Sequence, residues 1–332
     1  MNGVLIIDKP AGLTSHDVVN RARRILHQRS IGHLGTLDPM ATGVLPLVTG
    51  NFTRLAQFYT SAEKTYEGTI RFGFATDTYD AEGEPTTAAA EACLKREDTE
   101  VLAARFRGVI EQTPPPFSAK KIHGVPAYKL ARKQKEVVLQ PVQVEIKEFE
   151  ILSVEGDRVG FRARVASGTY MRSVAHDMGR LVGCGAHLES LRRTAVAEFT
   201  LADAHTLDEL ATLAGPRHPD SQCHPDRSAA FPEGKLRGMG GPCATGPLAD
   251  LFVHPRKLLP DLPSVTADEA SVARIRSGRP VNLPELSRAR LVKVFQGQAD
   301  LVAIATRVAG SLFHPKIVLA VECQAETPVP RR

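Results

Sequence analysis

Residues 32–45 read GHLGTLDPMATGVL. One carboxylate, Asp38, sits between Leu37 and Pro39, inside arms that hold three glycines and two threonines. Such arms around a proline describe a tight surface turn. They equally describe a stiff loop that holds a carboxylate where backbone must approach something large. The segments on either side decide between these readings.

The apolar run 4–7 predicts a short buried strand. Residues 16–27, with Ser15 as cap, predict a helix that carries Val18, Val19, Ala22, Ile25 and Leu26 on one face. Residues 64–73 alternate, Tyr66, Ile70 and Phe72 against Thr65, Glu67 and Arg71, which predicts a half-buried strand. Residues 86–108 read as helix and the TPPP run at 113–116 as extended loop. Residues 142–154 and 158–165 read as paired strands about Glu155-Gly156-Asp157, and 170–182 has helical spacing. Thr206 and Glu209 form a capping box for a helix through 213.

Residues 214–250 are dense in Pro and Gly and show no period, as an insertion or linker would. Further on, Thr266 and Glu269 form a second capping box for a helix to about 277. Short β-like runs follow at 290–295, 300–307 and 316–321. Strands and helices with no βαβ rhythm predict an α+β fold.

The 332-residue chain carries a net charge of +5, a mild bias toward polyanions. From Arg105 to Lys135 the bias is concentrated: Arg107, Lys120, Lys121, Lys129, Arg132 and Lys133 also lie there, against the single acid Glu111. Phe106, Phe117, His123 and Tyr128 are interleaved, which suits a phosphate backbone with unstacked bases. A solvated basic face would look the same. The five cysteines include no CxxC pair, as in reduced cytoplasmic proteins. No apolar run approaches the ~18 residues of a membrane span, and an acid directly after 4–7 does not fit a secretory signal. His218, Cys223, His224 and Cys243 match no zinc spacing, so no metal is expected.

Four stretches stand out at loops or element ends: DKPAGLTSHD (8–17), the opening loop, KTYEGTIRFG (64–73) and ASGTYMRSVAHD (166–177). In this order they resemble the motifs of the bacterial TruB-type family of tRNA pseudouridine synthases. QTPPPFSAKKIHGVPAYKLAR (112–132) and GAHLESLRRT (185–194) are similar to further family segments. The resemblance covers about 2–213 and, more weakly, 257–322, where it suggests a PUA-like domain; 214–250 lies outside it. It implies a curved mixed or antiparallel catalytic sheet with flanking helices over 1–213. An irregular linker (214–256), a small β-rich PUA-like RNA-binding domain (257–325) and a tail (326–332) would follow.

The resemblance also implies a reaction: isomerisation of uridine 55 in the tRNA T loop to pseudouridine, without a cofactor. Asp38 would be the catalytic aspartate, Arg172 its cationic partner, and Tyr66 the tyrosine that stacks on the base. His33 would enter the RNA loop as the uridine flips out. Gly32 would let backbone approach RNA, Lys9 and Lys64 would touch phosphate, and Tyr170 and Leu191 would line the pocket. The expected partner is the tRNA T stem-loop, with no membrane and no obligate protein partner, for a cytoplasmic monomer. A tRNA-folding chaperone with secondary catalysis is the alternative. A glycoside hydrolase is a further rival, but such enzymes generally use two carboxylates, and the opening loop supplies one.

Overall fold

The computed structural model describes residues 1–118, 120–122, 125–126, 139–215 and 248–319. β1 (Gly3–Lys9) runs through the apolar stretch with both faces covered. Leu5 and Ile7 enter a core shared with the helices, whereas Val4 and Ile6 enter a second core on the opposite face. A strand buried on both sides has no reason to alternate. α1 (Ser15–Ile25) follows. Its cap is Thr14, not Ser15: the Thr14 hydroxyl accepts from the Asp17 amide, and the Asp17 carboxylate accepts from the Thr14 amide.

Next come β2 (Ile31–His33), β3 (Thr42–Thr49), a 3-10 segment at Gly50–Phe58 and β4 (Lys64–Phe72). α2 (Arg96–Ala104), β5 (Gly108–Gln112) and the two-residue strands β6 (Lys121–Ile122) and β7 (Val125–Pro126) precede the long hairpin β8 (Val142–Glu155) and β9 (Arg158–Val165). α3 (Met171–Val182), β10 (Ala186–Val196), β11 (Phe199–Thr200) and α4 (Leu207–Ala214) complete this part, α4 with the expected Thr206–Glu209 capping box.

Nine of these strands form one sheet, β1-β3-β10-β4-β9-β8-β5, with β2 on β3 and β11 on β10, while β6 pairs only with β7. Only β3 and β10 run parallel, so the sheet is mixed. It is the curved sheet of an α+β fold with helices packed on one face. β3 escapes a sequence reading because Pro46 lies inside it; the proline pairs with Ile6, and its carbonyl accepts from the Leu34 amide at 2.9 Å. The helix expected over 86–108 is confined to α2. Residues upstream are tied to the 73–75 turn instead: Thr86 N donates to Ala75 O, Ala90 N to Gly73 O, and Ala75 N to Thr87 Oγ1. Tertiary hydrogen bonds there override helix propensity.

The solvent face of β4, β9 and β8 carries a ladder of ion pairs, Arg162–Glu67, Arg164–Glu63, Arg164–Glu148 and Lys147–Glu63. The opposite faces of these strands supply apolar residues to the core, which explains their alternation.

The C-terminal part holds β12 (Ser264–Thr266), α5 (Glu269–Arg276), β13 (Val281–Asn282), β14 (Leu291–Gln296), β15 (Asp300–Ala309) and β16 (Leu312–Val318). Thr266 belongs to β12, and α5 is capped by Asp268, whose carboxylate accepts from the Ser271 amide at 2.7 Å. The five strands order as β12-β14-β15-β16-β13. This sheet shares a core with the first: Phe295, Ile304, Ile317 and Leu319 pack with Phe52, Leu55, Tyr59 and Phe199. The Pro/Gly-rich stretch, the His218–Cys243 cluster and most of the basic 105–135 stretch beyond Lys120 lie outside the described residues.

Candidate active site

The opening loop leaves β2, turns at Asp38 and enters β3. Three side chains hold it from behind. Ser15, freed from capping, accepts from the Leu37 amide at 2.8 Å and donates to the Leu37 carbonyl at 3.2 Å. Lys9, fully buried, donates to the carbonyls of Pro10, Pro39 and Ala41 at 2.9, 3.1 and 2.6 Å. Arg193 of β10 donates to Gly35, Thr36 and Val44. The expectation that Lys9 touches phosphate is therefore corrected: its ammonium is enclosed by loop carbonyls. Burial lowers its pKa to about 8, against the pull of Asp38 in the other direction.

Asp38 faces a cavity of about 250 Å³ lined by Lys64, Tyr66, Tyr170, Arg172, Leu191 and Arg193, among others. Four sequence elements, up to 158 residues apart, thus converge: the loop, β4, the start of α3 and β10. Arg172, on the first turn of α3, is 5 % exposed at its side chain. Its Nη2 donates to Asp38 Oδ1 at 3.0 Å, while Nε lies 2.9 Å from Oδ2 without the alignment of a hydrogen bond. The guanidinium is otherwise held by the carbonyls of Thr78 and Phe117 and by a second carboxylate, Asp80, at 3.4 Å.

Sequence reasoning missed Asp80. It lies in ATDTYDAEGE (75–84), which reads as an acidic turn. Asp80 is 3 % exposed and is fixed by the Thr78 hydroxyl and the Glu82 amide. Arg172 therefore sits between two carboxylates, one locked and one facing the cavity.

Burial pushes the Asp38 carboxyl above its ordinary value; Arg172 and Lys9 pull it back and Asp80 raises it further. A third of its side chain (34 %) remains exposed, through the open cavity. Tyr66 is 8 % exposed on β4, opposite Ala163 and Arg193. Lys64, two residues earlier, is lowered to about 8 by burial and by Arg193, and donates to the Ala62 carbonyl. Tyr170 caps α3 and is gripped through its backbone by both ends of the Gln112 amide. Leu191 forms an apolar wall, 8 % exposed.

His33 and Gly32 do not line this cavity. His33 lies half-buried on β2, its pKa lowered by burial and by Arg193. The ring is therefore neutral near pH 7, as a stacking group can be. A Cβ at Gly32 would meet only Val48, at an ordinary 3.6 Å. The glycines the loop requires are Gly35 and Gly43, whose φ values are +106° and +101°; a Cβ at Gly43 would also lie 2.2 Å from the Arg193 carbonyl.

A cavity that aims one open carboxylate, a paired guanidinium and a tyrosine at a single space defines an enzyme site. Residues 23–171 match the family described as "TruB family pseudouridylate synthase (N terminal domain)", and residues 172–223 the "tRNA pseudouridylate synthase B C-terminal domain". A Solibacter usitatus protein named tRNA pseudouridine synthase B is 46% identical over 323 residues, covering 96% of this chain and 100% of its own. An Aquifex aeolicus protein of the same name is 44% identical over 218 residues, 65% of this chain and 76% of its own. A solved structure described as a Cbf5-Nop10-Gar1 complex is alike in fold, with a TM-score of 0.66 at 24% identity over 96% of this chain and 85% of that one. The chain belongs to the TruB family of pseudouridylate synthases.

Proposed function

We propose that the protein isomerises uridine 55 in the T loop of tRNA to pseudouridine, with Asp38 as catalytic carboxylate. The observation that carries this reading is the Asp38–Arg172 pair on the floor of a cavity walled by Tyr66 and Leu191. The reaction breaks the C1′–N1 bond, turns the base and joins C1′ to C5. The proton lost from C5 is balanced by the one gained at N1, so no redox partner or energy source is required. Asp38 must be ionised to attack or to remove a proton, and Arg172 favours that state despite burial.

The uridine has to leave its stack to enter the cavity, at a cost of a few kcal/mol. His33, neutral and beside the cavity, is suited to replace lost stacking in the RNA loop. Lys64 and the basic 118–135 stretch are the groups proposed to hold phosphate. In this reading 1–213 is the catalytic unit and 257–325 a PUA-like unit that helps grip tRNA, in a cytoplasmic monomer. Among the described residues no helix is long and apolar enough to cross a membrane.

The test is pseudouridine mapping on a T stem-loop RNA with wild-type protein and Asp38→Asn. Wild type should modify only the target uridine, and the variant none. A T loop still fully modified in cells that lack the protein would overturn the assignment.

A further inference from the structure

Arg193 takes no part in the chemistry above, yet among the described residues it heads the fully buried side chains by size. Removing a charge from water is expensive, and a buried guanidinium ordinarily sits on a carboxylate. Among the described residues no carboxylate pairs with Arg193. Its donors go to three backbone carbonyls of one segment: Nε to Val44 at 2.8 Å, Nη2 to Gly35 at 3.0 Å and Nη1 to Thr36 at 3.2 Å. Two of these carbonyls precede Asp38 and one follows it, so a single rigid fork spans both arms of the loop.

The base of the fork is fixed independently. In β10, Arg193 stands in register with Tyr66 of β4 on one side and Gly43 of β3 on the other. The Gly43 backbone is pressed against the Arg193 backbone, which leaves no room for a Cβ. One residue thereby links the loop's entry, its exit and the strand that carries Tyr66.

We propose that Arg193 is the positioning residue for Asp38: its guanidinium locks both arms of the 32–45 loop to β10, which sets the carboxylate against Tyr66 without Arg193 touching the reacting atoms. Lysine cannot replace it. Lys9 serves carbonyls that converge on one point, whereas those held by Arg193 are spread along a planar fork. The proposal rests on the reading that this cavity forms pseudouridine.

The experiment compares wild type with Arg193→Lys on a T stem-loop RNA, measuring kcat, KM and amide hydrogen exchange in the free protein. Misplacing a reacting group by about 1 Å costs on the order of 100-fold, so kcat should fall roughly 10- to 100-fold. KM should stay within about threefold, because binding of the RNA is untouched. The Leu37 and Ala41 amides, bonded to Ser15 and to the Asp38 carbonyl, should exchange about tenfold faster, while those of β4 and β9 should not change. A kcat within threefold of wild type overturns the proposal, and so does equal loss of protection in β4 and β9. If Arg193→Lys does not fold, Arg193→Gln decides: its neutral amide is too short to span the carbonyls of Gly35, Thr36 and Val44 together, and an unaltered kcat there overturns the proposal too. Wild-type protein that makes no pseudouridine would instead overturn the functional reading, and the exchange data alone would then judge Arg193.

Discussion

At the loop around Asp38, cations borne on strands hold backbone carbonyls, and at the joint between the two sheets the same device recurs. Lys9 and Arg193 grip the loop around Asp38. Lys293 of β14, 2 % exposed, grips the carbonyls of Leu258 at 2.8 Å and Arg256 at 3.1 Å. Each region also sets a carboxylate beside the pinned segment, and there they part. Glu198 accepts from the Tyr59 hydroxyl at 2.6 Å and from the Leu259 amide at 2.8 Å, with Leu259 turned into the left-handed region. Burial and Glu198 drive the Tyr59 hydroxyl well above its usual range, so it stays a donor. Asp38 has one directed hydrogen bond among the described residues and a third of its side chain open to a cavity. A carboxylate supplied with fixed donors joins parts of a protein, whereas one left short of donors on a rigid loop is available to react.

The largest effect should come from Asp38→Asn. Asparagine keeps an acceptor for Arg172 Nη2 but cannot act as nucleophile or base, so single-turnover pseudouridine formation should drop by roughly 10³-fold or more. The melting temperature should stay within a few degrees, because the loop's anchors are elsewhere. A variant with near wild-type turnover would place the chemistry on another group and end the contrast with Glu198.

Asp80→Asn should come next. Arg172 loses the locked member of its two carboxylates, and kcat should fall about tenfold as its aim loosens. The pH profile carries the sharper signature. In the proposed reaction the reactive form of Asp38 is the carboxylate, so the rate should rise with pH through a value above the ordinary Asp range. Asp80 is one of the groups that raise that value. Neutralising it should move the acid limb of kcat/KM, which reports the free enzyme, toward lower pH. An acid limb that stays in place or moves upward would show that Asp80 does not act on Asp38 through charge.

Much of this cavity was legible in the chain because its lining sits in local motifs. Asp38, Tyr66 and Arg172 each lie in a loop or element end whose residue pattern is odd by itself, and the structure brings all three to one cavity. The supporting residues were not legible, for a physical reason. Lys9 follows the apolar run 4–7 and reads as a phosphate contact; it is buried because carbonyls 30 and 32 residues away close over it. Arg193 sits in a run of polar residues at the end of β10, and its partners are backbone atoms that have no side-chain signature. Asp80 looks like turn chemistry until Arg172 arrives. The fold divides in the same way. The β8–β9 hairpin follows from its alternation and turn, whereas the parallel β3–β10 contact depends on Gly43 accepting a backbone that the sequence does not mark.

Tyr59→Phe probes the other half of the comparison. Phenylalanine keeps the apolar packing but removes the hydroxyl from Glu198. Losing a hydrogen bond to a charged acceptor costs about 1.5–3 kcal/mol, which for a domain of this size lowers the melting temperature by roughly 2–4 °C per kcal/mol. Activity on an isolated T stem-loop should remain within about twofold, since no cavity residue moves. A large loss of kcat would mean that the joint and the loop around Asp38 are one mechanical unit.

Ser15→Ala tests whether redundancy protects the loop. The hydroxyl makes two hydrogen bonds, one from the Leu37 amide and one to its carbonyl, and both are buried. Alanine leaves the helix cap intact, because Thr14 and Asp17 form it. Each lost bond costs about 1–3 kcal/mol where it leaves a buried group of Leu37 without a partner. Lys9 still holds Pro39 and Ala41, and Arg193 still holds Gly35 and Thr36. With anchors remaining on both arms, kcat should fall only about two- to fivefold with KM unchanged. A loss as large as that expected for Asp80→Asn would make Leu37, the residue directly before Asp38, the point where the loop is aimed. The cations behind it would then fix its path without fixing the carboxylate. A result within twofold of wild type would assign that aim to the cations on either side, leaving Ser15 to satisfy a backbone amide that burial would otherwise strand.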